Sequence, residues 1–264
     1  MTDPTTGPIQ SREEVVEAIE NLLHGWNVPE SVPEAISTAI VPLGEDPVSA
    51  RLIAKGIHTL VLRSRPRCLV LVGASPELQN GKIVLSPFGE IPSTAGDVAI
   101  NERIASRLAT FWSSEVEAST DQQQFDLLPL HRIGALLTRV LAPGCRVVPV
   151  TVPADPSGDF DPVATGTGLG EILTDEPGTI VVAGAELGAD GPGVEGDARI
   201  LRHLIDIDPL ALSTEAQTIA GPSPVPLVIA AAHAKVRGQN RGVLLEHARI
   251  GADESGSRVV SVVL

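Results

Sequence analysis

Tyrosine is absent from this 264-residue chain, and the other large aromatics stop at four Phe and two Trp. So few rings cannot build a base-stacking platform and leave little to anchor an aromatic-rich interface. The core must be aliphatic, drawn from Val, Ile, Leu and Ala within a hydrophobic content of 43%. Cysteine is equally scarce. Cys68 and Cys145 both fall in apolar runs that read as buried strands, which predicts reduced core thiols rather than a disulfide framework or a thiolate metal pair. Basic residues are the third shortage: 19 Lys and Arg face 33 Asp and Glu, a net charge of −14. That sign repels phosphate backbones and anionic bilayer surfaces, so nucleic acid and membranes are excluded as partners, while a small molecule or a protein partner is still allowed. No run approaches the roughly 20 apolar residues that cross a bilayer. Residues 1–10 are polar and Pro-containing, without a charged-then-apolar leader pattern. The expectation is a cytoplasmic protein whose acidity serves solubility.

What is present alternates. Residues 1–10 read as a flexible tail and residues 11–264 as a single domain. Ser11 with Glu14 three positions on is a capping box that opens a helix through Val15, Ile19 and Leu22. Residues 38–42 form a short apolar strand. Asp46 then caps a helix over 47–62 that has Pro47 at its first position. Residues 67–73 and 145–152 and 179–184 are apolar strands, with a small strand at 82–85. Helices are expected at 97–111, 127–141, 162–173, 194–207, 209–217 and 224–236, and closing strands at 242–248 and 257–264. Uniformly apolar strands separated by helices predict an α/β fold with a largely parallel central sheet covered by helices on both faces.

Local signatures for common chemistries are missing. Gly166-Thr167-Gly168-Leu169-Gly170 is glycine-rich, but it follows a Pro/Asp loop rather than a strand, and the dinucleotide fingerprint places its third glycine one position later. There is no GxxxxGK[ST] loop and no HExxH, and Ser75 lacks the flanking glycines of a nucleophile elbow.

Seven segments, in order, carry a resemblance instead. Ile40-Val41-Pro42-Leu43-Gly44 stands where one family has a strand ending IVPHAGYxYSG, and Gly73-Ala74-Ser75-Pro76 where it has GPSH. Ser93 to Asn101 matches its TPLGDVPVD, Leu130-His131-Arg132-Ile133-Gly134-Ala135-Leu136-Leu137 its EHSLEVQLPFL, and Val147-Val148-Pro149-Val150 its IVPV. Ala183 to Gly191 corresponds to ASSDLSHYG, and Ala220-Gly221-Pro222-Ser223-Pro224-Val225 to CGxxPI. The chain therefore resembles the MEMO family, also called AmmeMemoRadiSam system protein B, which is related to the class III extradiol dioxygenase fold.

The resemblance implies a metal site that this chain has lost. The two His and the Cys proposed to hold metal in the family stand here as Leu43, Pro76 and Ala220. None of these side chains has a lone pair to give, whereas a transition-metal site needs about three N, S or O donors. The family's Asp and His in SSDLSHY become Glu186 and Ala189, and His131 is the clearest polar residue retained. The expectation is a pseudoenzyme with no cofactor, acting as a small-molecule-binding, regulatory or scaffold protein. The alternative is a metal-dependent enzyme related to dioxygenases or oxidoreductases. Its rebuilt site would use His131 and Glu186 as weak catalytic candidates, with Asp46, Glu77 and Asp190 as acids for a divalent metal at the strand ends.

Overall fold

A computed structural model describes residues 11–78, 82–85, 89–112, 116–118, 127–155, 160–187, 193–216, 224–250 and 258–264. The expected tail at 1–10 lies outside the described residues. Helix α1 (Arg12–Leu22) opens on the capping box: the Ser11 hydroxyl accepts from the Glu14 amide at 3.2 Å, and Glu14 Oε2 accepts from the Ser11 amide at 2.8 Å. The chain then runs β1 (Thr38–Val41), α2 (Pro47–Ser64), β2 (Cys68–Ser75), β3 (Ile83–Leu85), β4 (Glu90–Ile91), β5 (Val98–Ala99), α3 (Glu102–Phe111), β6 (Val116–Ala118), α4 (Pro129–Leu141) and β7 (Arg146–Pro153). It continues with α5 (Pro162–Leu173), β8 (Thr179–Gly184), α6 (Gly193–Ile205), α7 (Pro209–Ala216), α8 (Val225–Val236), β9 (Val243–Arg249) and β10 (Arg258–Val263).

Among the described residues, eight strands make one sheet in the order β6-β3-β7-β2-β8-β1-β10-β9. The four central strands, β7-β2-β8-β1, are mutually parallel, and every residue of β1, β2 and β8 is buried. That matches their uniformly apolar sequences, because a strand covered on both faces has no side free for polar groups. Antiparallel pairing appears outside this core, where β3 meets β7 and where β1, β10 and β9 close the other edge.

Alternation along β1 separates the two helical layers. Thr38 Oγ1 bonds His233 Nδ1 of α8 at 2.7 Å, whereas a Cβ on Gly56 of α2 would lie 2.7 Å from Val41 Cγ1. Helices α2 and α4 thus cover one face, and α8 with α5 covers the other. The glycine-rich run of α5 serves this second layer. A Cβ on Gly166 would collide with the Ile229 carbonyl, and one on Gly170 would sit 2.7 Å from Val236 Cβ, so these glycines let α5 and α8 pack backbone to backbone.

Two details differ from expectation. The helix expected from residue 97 starts at Glu102, because Asn101 caps it by accepting from the Ile104 amide at 3.3 Å. The residues before it, Val98–Ala99, pair antiparallel with Glu90–Ile91 as a small separate ribbon. Cys68 and Cys145 are free and buried, and burial pushes both thiols up to about 12. Among the described residues, no helix is long and apolar enough to cross a membrane.

Candidate functional site

The carboxyl ends of β1 and β8, neighbours in the sheet, are tied by the Ala185 amide donating to the Val41 carbonyl at 2.8 Å. Parallel α/β sheets gather ligands at this end. Here the turn after β1 brings Leu43, Gly44 and Asp46 against Gly184 and Glu186. A Cβ on Gly44 would lie 2.7 Å from Asp46 Oδ2 and 3.5 Å from Glu186 Oε1, so the missing side chain makes room for two carboxylates that turn toward each other.

Their environments split them. Asp46 accepts the Val48 and Ser49 amides at 2.9 and 3.0 Å as the N-cap of α2. Burial works against its charge, but bonds from Ser49 and Val48 prevail and hold its carboxyl below the ordinary range. Glu186 is half-buried, and its carboxyl is pushed up, chiefly by burial and further by the Asp46 charge. One acid of the pair is committed to a helix end; the other gives up its proton less readily than an exposed glutamate.

Around this pair the strand ends are closed by hydrocarbon. A Cβ on Gly184 would be 2.5 Å from Leu43 Cδ2 and 2.8 Å from Leu130 Cδ2, and one on Gly73 would be 2.5 Å from Leu128 Cδ1. Methyl groups of three leucines therefore rest directly on the backbone of β2 and β8. His131 lies beneath them at the start of α4, fully buried. Its Nδ1 accepts from the Leu128 amide at 3.3 Å, which leaves the proton on Nε2 to donate to the Val150 carbonyl at 3.3 Å. Burial depresses this imidazole to about 4, despite the opposing bonds to the Val150 and Leu71 carbonyls. The ring is neutral at neutral pH and caps its own helix.

The remaining sequence-predicted positions are spread out. Pro76 and Glu77 are exposed in the turn after β2, where the Glu77 amide donates to Ser75 Oγ at 3.2 Å. Glu45 pairs at the surface with Arg132 at 2.8 Å. Asp190, Ala189 and Ala220 lie outside the described residues. The structure thus brings Leu43, Asp46 and Glu186 together, with His131 buried below, and leaves Pro76 and Glu77 at the surface. These donors do not fit the metal that the resemblance implies: Leu43 contributes hydrocarbon, His131 spends both nitrogens on backbone groups, and two carboxylates are left. Among the described residues, no group of three or more His, Cys, Asp or Glu is placed to hold a metal ion.

Sequence reasoning missed a second polar feature. Arg258, at the start of β10, forms a buried ion pair with Asp197 of α6; their side chains are 7% and 6% exposed. An arginine opening the otherwise apolar run Arg258-Val259-Val260-Ser261-Val262-Val263 was the available signal, since a buried strand holds a charge only with a partner.

No protein-family model and no curated protein matches the chain. Among solved structures, it is similar to the crystal structure of the uncharacterized protein JW3007 from Escherichia coli K12, with a TM-score of 0.55 over 87% of this chain and 99% of that one. At 15% sequence identity, that likeness is one of fold alone: a single α/β domain built on a mostly parallel sheet.

Proposed function

We propose that the chain is a non-catalytic relative of the MEMO-like proteins, retaining an enzyme fold for a small-molecule-binding, regulatory or scaffold role. The observation that carries this reading is the leucine closure: Leu43 and Leu130 methyl groups press on Gly184 at the strand ends, where a metal enzyme would need donor atoms and room for a substrate. The buried, backbone-bonded His131 supports it, because a general base must reach its substrate with a free nitrogen.

The test is metal analysis of the full chain purified from medium supplemented with iron, copper and zinc, then dialysed against a chelator. The expected content is far below one ion per chain. One tightly held ion of any of the three would overturn the proposal. A second reading, an enzyme with a rebuilt site, is favoured by a specific observation: the protonatable Glu186 beside ionised Asp46. Such a pair suits hard, oxygen-liking cations such as Mg²⁺.

A further inference from the structure

At the amino ends of β2, β7 and β8, the opposite end of the strands from the central turns, the surface is basic. The four segments that meet there, residues 65–67, 101–107, 142–146 and 174–178, are all described. They carry five arginines, Arg65, Arg67, Arg103, Arg107 and Arg146, against three acids, Glu102, Asp175 and Glu176. That ratio reverses the one in the whole chain, where 33 acids face 19 basic residues.

Backbone bonds fix where these arginines stand. The Arg146 amide donates to the Arg67 carbonyl at 3.0 Å, and the Arg67 amide to the Gly178 carbonyl at 2.8 Å, which sets the feet of β7, β2 and β8 side by side. Gly178 has a φ of +79°, and a Cβ there would lie 3.2 Å from Arg67 Cγ. The Arg67 stem therefore crosses the bare backbone of this turn. Glu176, buried in the same turn, accepts from Arg103 Nη1 at 2.6 Å and also from Arg107, both on α3. One buried carboxylate thus serves two arginines. Among the described residues, the exposed Arg65, Arg67 and Arg146 form no ion pair, and neither do the exposed Glu102 and Asp175.

We propose that this surface docks a short acidic segment of a partner protein, its Asp or Glu carboxylates meeting the guanidiniums of Arg67 and Arg146 beside the Arg103–Arg107 pair. Guanidinium forks match the two oxygens of a carboxylate, and backbones already fixed by strand pairing lose little freedom on binding. The arginines stand exposed across several loops, which suits an extended chain laid over them. The four segments contain no aromatic residue on which a base could stack. A duplex or a bilayer, wider than the patch, would also meet the acids that dominate the rest of the chain. A short peptide covers the patch alone.

Fluorescence anisotropy of labelled octaglutamate titrated with the full chain tests this, with octathymidylate as the competing polyanion. Octaglutamate should saturate at one per chain and bind more weakly as salt is raised. The double substitution Arg67→Gln with Arg146→Gln should weaken it at least about fivefold without moving the melting temperature, and Arg12→Gln, on α1, should change nothing. The proposal is overturned by binding that does not saturate, by binding indifferent to the double substitution, or by tighter binding of octathymidylate. Sedimentation of the chain alone adds a further check: a dimer abolished by the double substitution would make a second copy the occupant and overturn the proposal as well. This docking role does not rest on the central turns, so a chain found to hold iron would lose the first proposal and leave this one standing.

Discussion

Glu186 and Asp197 are carboxyl groups on the same protein, both raised in pKa chiefly by burial, and they keep opposite company. Glu186 faces Asp46, a like charge that pushes it further up. Asp197 faces Arg258, His247 and Arg249, which pull it back without overcoming the burial. The first sits among leucines at the closed ends of the parallel strands. The second lines an open cavity at the antiparallel edge. The contrast shows that burial alone does not make a site. At the centre, the neighbours favour neutrality and packing: a protonatable acid, a neutral histidine, methyl groups on glycine. At the edge, the neighbours are of opposite charge and favour the ionised form of the buried acid against desolvation.

The largest effect is expected from removing the edge cation. Arg258→Met leaves Asp197 buried without its partner, and the expected loss in urea unfolding, followed through Trp26 and Trp112 fluorescence, is on the order of 3–5 kcal/mol. Adding Asp197→Leu should restore most of that stability, since the uncompensated charge and not the missing bond dominates the cost. A single variant as stable as the parent chain would mean that Asp197 escapes to solvent, and the edge would cease to differ from the centre.

The centre is attacked through acid. The folded His131 imidazole titrates near 4 against an ordinary value of 6.5, so between these pH values the unfolded chain binds more protons than the folded one. Stability is complete above about 6.5 and declines as pH falls toward 4, by on the order of 3 kcal/mol from this residue. His233, depressed to about 3 by burial, acts in the same direction. Glu186 and Asp197, with raised pKa values, oppose the decline because their folded forms take up protons more readily. His131→Gln keeps a polar group in the pocket and should flatten the slope of stability against pH over this window. An unchanged slope would show that the imidazole is not held neutral, and the leucine closure would lose its buried base.

How much of this could be read from residues alone follows the range of the interactions. Ser11 with Glu14, and Asp46 with Pro47, announce their helices because a cap involves neighbours within three positions. The central strands were legible because full burial leaves no polar position in them. The α3 start was misplaced because the capping Asn101 lies inside a run that also suits a helix, and only pairing with Glu90–Ile91 turns Val98–Ala99 into a strand. The chemistry was harder. That Leu43 stands at a strand end was visible, but that it rests on Gly184 with Leu130 beside it depends on α4 crossing the sheet. The sequence offers His131 as a weak catalytic candidate, and only its bonds to Leu128 and Val150 decide where each nitrogen points. Arg258 signals from the sequence that its strand needs a partner, but that Asp197 of α6 is that partner is a tertiary fact.

The smallest effect is expected at the centre itself. Glu186→Gln removes the ionisable group from the centre while keeping its shape. Because the raised pKa means that the folded state disfavours the ionised form, any penalty exists only above that pKa. The variant should therefore be slightly more stable than the parent at pH 8, by no more than about 0.5 kcal/mol for a half-exposed position, and indistinguishable at pH 4, where the native carboxyl already carries its proton. Repeating the melt in Mg²⁺ separates the two functional readings. If the cation leaves both proteins unmoved, the Asp46–Glu186 pair is a capping acid beside a desolvated one, and the centre is closed. If it raises the melting temperature of the parent and not of Glu186→Gln, the pair is a cation site, and the centre is no longer closed by packing alone.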